Sequence, residues 1–68
     1  WSDRRLKSNI RRIGDHPLDI GIYEYDIFGE HDIGVMADEV EQVMPEAVMV
    51  HPSGFKMVNY SMLGGGNA

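Results

Sequence analysis

Cysteine is absent from these 68 residues, which rules out disulfides and thiolate metal sites. No apolar run approaches the roughly 20 residues of a membrane-crossing helix, and no signal peptide is visible. Basic residues are scarce, six Lys and Arg against eleven Asp and Glu, for a formal net charge of −5. A chain this short buries only about 60% of the surface it exposes when unfolded, so its own core is marginal. Without cross-links, the remaining route to stability is association with further copies or with a covalent neighbour. The expectation is one small domain that assembles. The chain opens on Trp1 rather than Met, as a fragment or processed piece does.

The net charge conceals a segregation. Residues 1–12 hold Arg4, Arg5, Lys7, Arg11 and Arg12 against Asp3, whereas residues 13–68 hold every other acid against Lys56 alone. A basic arm can bind nucleic acid, but the acidic remainder would repel phosphates at close range. The arm is expected to dock on acidic surface of its own chain or of a neighbouring copy.

The periodicity predicts an α+β fold, ordered β-β-α-β-β around a small antiparallel sheet with one short helix. Ser8-Asn9 reads as the cap of a short turn and Gly14 to Pro17 as a loop. Leu18 to Ile27 alternates, with Gly21, Tyr23, Tyr25 and Ile27 on one face and Ile20, Ile22, Glu24 and Asp26 on the other. Phe28 to Asp32 has turn chemistry, and Ile33 to Met36 reads as a short strand. Ala37, Val40, Val43 and Met44 share helical spacing, and acids in the first turn suit the helix dipole. Pro45 ends that helix, which is expected near residues 37–44. Ala47 to Val50 and Phe55 to Tyr60 read as strands about a turn at His51-Pro52-Ser53-Gly54. Tyr25, Val35, Val40, Val43, Phe55 and Val58 are the expected core. Residues 1–63 form the domain, and 64–68 read as a flexible glycine-rich tail.

Ser2 and Lys7 are the candidate chemistry. A serine hydroxyl needs a base to take its proton, and lysine serves only if burial or nearby cations lower its pKa. Arg4, Arg5, Arg11 and Arg12 push that way, while Asp3 pushes back. Five extended residues span up to about 17 Å, so a tight turn over Asp3 to Leu6 must bring the two groups together. From spacing alone, a solvated basic arm accounts for the same residues. His16, His31 and His51 match no compact metal-ligand spacing. The Asp38, Glu39 and Glu41 cluster lacks an oxygen-rich loop with a glycine turn. Neither is expected to hold a metal, and no cofactor is called for. Tyr23, Tyr25, Tyr60, Phe28 and Phe55 read as core and interface rather than as a carbohydrate groove. Trp1 is either a packing anchor or the last residue of an upstream region.

Three pieces in order carry a resemblance: Ser2-Asp3-Arg4-Arg5-Leu6-Lys7, then Gly34-Val35-Met36-Ala37-Asp38-Glu39-Val40-Glu41-Gln42-Val43-Met44-Pro45-Glu46, then Val58-Asn59-Tyr60-Ser61. They resemble S-D-x-R-L-K-x-N-I, G-x-I-A-Q-E-V-x-x-V-x-P-E and V-x-Y of the peptidase S74 family. Its members are self-cleaving intramolecular chaperones at the C-termini of phage tail spikes and tail fibres. The resemblance implies that Ser2 and Lys7 are the catalytic pair of a single-turnover serine autoprotease without a cofactor. It places the scissile bond at Trp1–Ser2, with Ser2–Asp3 left open. It further implies a homotrimer whose partner is the upstream fibre or spike of the same polypeptide, with neither nucleic acid nor membrane involved. The location is then the virion, or the host cytoplasm during assembly. Family members usually continue into long helices after V-x-Y-S, whereas this chain runs into glycines, as a truncated or minimal form would. A non-cleaving structural trimerisation tip is the alternative reading, and a small nucleic-acid-binding domain resting on the basic arm is a third.

Overall fold

The computed structural model of the chain describes residues 1–64, so the expected tail lies almost wholly outside the described residues. Strands β1 (Ser8–His16), β2 (Ile20–Ile27) and β3 (Glu30–Gly34) form an antiparallel sheet in that order. Helix α1 (Ala37–Val43) follows, and then a separate hairpin of β4 (Val48–Val50) and β5 (Lys56–Val58). Short 3-10 turns occupy Arg4–Leu6, Pro45–Ala47 and Tyr60–Leu63. The class is α+β as expected, but the order β-β-α-β-β in one sheet is not. There are three strands before the helix, and two sheets.

The additional strand is β1, across residues read as a turn and a loop. Its register against β2 slips twice, between Ser8 and Arg11 and between Arg12 and Gly14. Asn9, at φ 51°, occupies the first irregularity. An irregularity of this kind twists a strand and interrupts its inside–outside alternation, which removes the period of two from the sequence. The β2–β3 connection is shorter than expected. Phe28 and Gly29, at φ 51° and 76°, make a two-residue turn, and Ile27 pairs with Glu30. Glu30, His31 and Asp32 therefore lie in β3 rather than in a loop.

Helix α1 starts at Ala37 without a side-chain cap, with Asp38 and Glu39 in its first turn. It stops before Pro45, which opens the next 3-10 turn. Ala37 and Val40 are buried, but Val43 is 47% exposed, and Met44 packs on the core instead. The last helical residue thus faces solvent, and the residue after it fills the place expected for Val43. Phe55 and Val58 are half-buried, so they too are less enclosed than expected.

The core has two centres. Ile20, Val35, Val40, Ala47 and Leu63 pack where β2, α1 and the second hairpin meet, joined by Tyr60 and Val58. Tyr23, Tyr25, Ile27 and Met36 form the other, with Leu6 and Ile10 against it. The second centre places aromatic surface beneath the N-terminal segment. The segment Val35–Ala37 runs between the two and carries the candidate site.

Candidate active site

The N-terminal segment is not a solvated arm. The Ser2 N–H donates to the Lys56 carbonyl at 3.4 Å, and the Ser2 carbonyl accepts from Ala37 N at 2.8 Å. Arg4 pairs with Asp38 at 2.9 Å and with Glu39 at 3.0 Å. Arg5 pairs with Asp3 at 2.9 Å, donates to the Gly54 carbonyl at 2.9 Å and lies 4.8 Å from the Phe55 ring centroid. Farther along, Arg11 pairs with Glu24, and Arg12 with Asp15. The charges that segregate along the sequence thus meet within one chain.

Asp3 caps the Arg4–Leu6 turn by accepting the Arg5 N–H, and the Lys7 N–H closes the turn onto the Arg4 carbonyl. One tight turn thus separates Ser2 from Lys7. Lys7 is 8% exposed, and its Nζ donates to the Val35 carbonyl at 2.9 Å. The same ammonium lies 3.8 Å from Met36 Sδ and 3.9 Å from the Tyr25 ring centroid. Ser2 is 1% exposed. Both residues therefore bond to the three-residue segment Val35–Ala37, Ser2 by its carbonyl and Lys7 by its amine.

Ser2 Oγ is the one buried side-chain polar atom without a hydrogen-bond partner among the described residues. An unpaired buried hydroxyl costs about 1–3 kcal/mol, so its persistence invites a functional explanation. No hydrogen bond joins it to Lys7 Nζ. Lys7 titrates at about 8, down from 10.5, chiefly because burial penalises the ammonium and next because Arg4 lies close. The expectation that Arg5, Arg11 and Arg12 would also act needs correction, since Arg4 is the one arginine among the main influences on Lys7. Asp32, Asp3 and Asp38 pull the other way.

Trp1 is 45% exposed and packs edge-on against His51, with ring centroids 4.8 Å apart. Beside the strapped segment, Asp3, Arg4, Arg5, Ala37, Asp38 and Lys56 line an open cleft of about 440 Å³. His16, His31 and His51 lie on three different strands or turns. His31 sits between Asp26 and Glu24, whose carboxylates raise its pKa.

Sequence reasoning missed the Val35 carbonyl, the Tyr25 ring and the structural role of Asp3. Only the last left a local signal, an acid immediately before a turn. No curated protein and no solved structure matches the chain. The model of the family Peptidase_S74, described as the chaperone of endosialidase, matches residues 2–49, more than half of the chain, and the protein belongs to that family.

Proposed function

We propose that this chain is an intramolecular chaperone that trimerises a phage tail fibre or spike and then releases itself by one autoproteolytic event at Trp1–Ser2. Membership of the chaperone family supports the first half. The observation that supports the second is Ser2 Oγ, buried and unpartnered, on a residue bonded to the same Val35–Ala37 segment as Lys7, whose pKa is lowered to about 8. A neutral Lys7 amine accepts the hydroxyl proton as Oγ attacks the Trp1 carbonyl carbon. The Trp1–Ser2 C–N bond breaks, the Ser2 nitrogen takes up the proton, and an ester links Trp1 to Ser2 Oγ. Water then hydrolyses the ester to a Trp1 carboxylate and a free Ser2 with its amine and hydroxyl.

The chaperone role has a kinetic rationale. Intertwined fibres depend on contacts far apart in sequence or between chains, so they fold slowly and misassemble readily. A C-terminal trimer sets register and raises local strand concentration. Its removal leaves the fibre kinetically trapped. Assembly takes place in the host cytoplasm, and the fibre ends in the virion.

One observation favours the alternative of a non-cleaving tip: Lys7 Nζ is engaged by the Val35 carbonyl rather than by Ser2 Oγ. Mass spectrometry of the parent with its upstream region decides between them. Two fragments meeting at Trp1–Ser2, lost in Ser2→Ala and in Lys7→Arg, support autoproteolysis, because guanidinium stays protonated and accepts nothing. A single intact mass from a folded trimer leaves the structural tip.

A further inference from the structure

Asp3 lies between the two reactive residues and is only 5% exposed. Its carboxylate accepts from Arg5 N at 2.9 Å, Arg5 Nε at 3.0 Å, Arg5 Nη2 at 2.9 Å and Lys56 N at 2.9 Å. Two of these donors are main-chain groups from regions far apart in sequence. The Arg5 amide belongs to the Arg4–Leu6 turn that leads into Lys7. The Lys56 amide belongs to β5, and the carbonyl of the same residue accepts the Ser2 N–H. The Arg5 guanidinium above all, then the Lys56 amide, holds this carboxyl well below its ordinary range. It therefore remains ionised wherever a lysine base operates.

We propose that Asp3 is a positioning residue for the cleavage, its buried carboxylate clamping the Arg4–Leu6 turn to β5 so that Ser2 and Lys7 are held together against Val35–Ala37. This rests on the autoproteolytic reading above. Asp3 hydrogen-bonds to neither Ser2 Oγ nor Lys7 Nζ, so it acts through the backbone rather than on the reacting atoms. A displacement of about 1 Å in a reacting pair costs up to roughly a hundredfold in rate, and such a clamp prevents it.

Its charge also reaches the site. Lys7 faces Arg4 from its own turn, the Tyr25 ring from β2, Asp32 from β3 and Asp38 from α1, besides Asp3. Arg4 lowers the proton affinity of Lys7, and the three carboxylates raise it. Removing one of these negative charges must shift the acid limb of the cleavage rate to lower pH.

The test measures cleavage rate against pH in the parent with its upstream region, for wild type, Asp3→Asn and Arg5→Ala, with circular dichroism to establish folding. Asp3→Asn is expected to cleave roughly tenfold or more slowly at its plateau, with the acid limb moved down. The Arg5 side chain is 64% exposed, so Arg5→Ala keeps the fold and leaves Asp3 its two main-chain donors. It is expected to slow cleavage less, with the limb moved up because the carboxylate is no longer neutralised. A folded Asp3→Asn that matches wild type in rate and limb overturns the proposal. If Asp3→Asn does not fold, Arg5→Ala decides: a wild-type rate and limb overturn it, and an upward shift with slower cleavage supports it. A folded wild type that never cleaves, or a Ser2→Ala parent that still does, overturns the autoproteolytic reading and this proposal together.

Discussion

A serine hydroxyl without a partner and a buried lysine ammonium are both destabilising in isolation, which makes each testable through stability as well as cleavage. Ser2→Ala removes only the unpaired oxygen from a fully buried position. It should abolish cleavage while leaving the melting temperature unchanged or higher, since no hydrogen bond is lost and about 1–3 kcal/mol of desolvation is relieved. A clear drop in melting temperature would reveal a partner for Oγ in solution. Lys7 contributes a pH dependence of definite sign. Its folded value of about 8 lies below its ordinary 10.5, so between these values the unfolded chain binds more protons. Stability therefore rises with pH across that window, and below about 8 the full cost of burying the ammonium is present. Urea midpoints of wild type and Lys7→Met should diverge in favour of Lys7→Met at neutral pH and converge towards about pH 10. Parallel pH profiles would show that Lys7 is not desolvated.

Each secondary-structure element offers a contrast between neighbouring positions. In α1, Val40 is fully buried while Val43 is 47% exposed. Val40→Asp should unfold the domain, because an unpaired buried carboxylate is among the costliest single changes. Val43→Asp should alter stability by no more than about 0.5 kcal/mol, as exposed sites do. Equal losses by thermal melting would show that the helix sits in another rotation. At the end of β3, a Cβ on Gly34 would lie 2.5 Å from the hydroxyls of both Tyr25 and Tyr60. Tyr25 is the platform under Lys7, and the Tyr60 hydroxyl accepts the Val35 N–H at 3.1 Å. Gly34→Ala should therefore cost about 1–3 kcal/mol by overpacking and slow cleavage as well. Wild-type denaturant midpoints for Gly34→Ala would refute this close packing.

For the molecule as a whole, the question is what stabilises so small a chain. Ile13, Ile33, Met49, Val50 and Met62 all remain at least 40% exposed, a large apolar share for a domain of this size. A homotrimer is the expected state, and light scattering showing a monomer at high micromolar concentration would sink self-sufficient assembly. The salt dependence differs from what opposed charges in a sequence suggest. Arg4, Arg5, Arg11 and Arg12 pair within the chain, and the pairs exposed on both sides are weak because solvent screens them. With these cations already paired within the chain, raising salt should not dissociate a trimer. Dissociation at high salt would instead assign the interface to ion pairs between copies.

What depends on local order was legible from sequence alone: the helix near residues 37–44, its stop before Pro45, the turn at His51–Gly54 and the alternation of β2. Helical spacing, a missing proline N–H and a period of two act over a few residues, so a short window contains their cause. The family resemblance was legible for the same reason, because its motifs are short and ordered. Tertiary structure alone decided the rest. The bulges that hide β1 exist only against β2, and the division into two sheets is a matter of pairing. Whether Val43 or Met44 turns inward depends on where the helix ends against its neighbours. Ser2 and Lys7 are chemically ordinary residues until Val35–Ala37, Tyr25 and β5 close around them. Desolvation is a property of what surrounds a group, and most of that surrounding comes from more than twenty residues away in the chain.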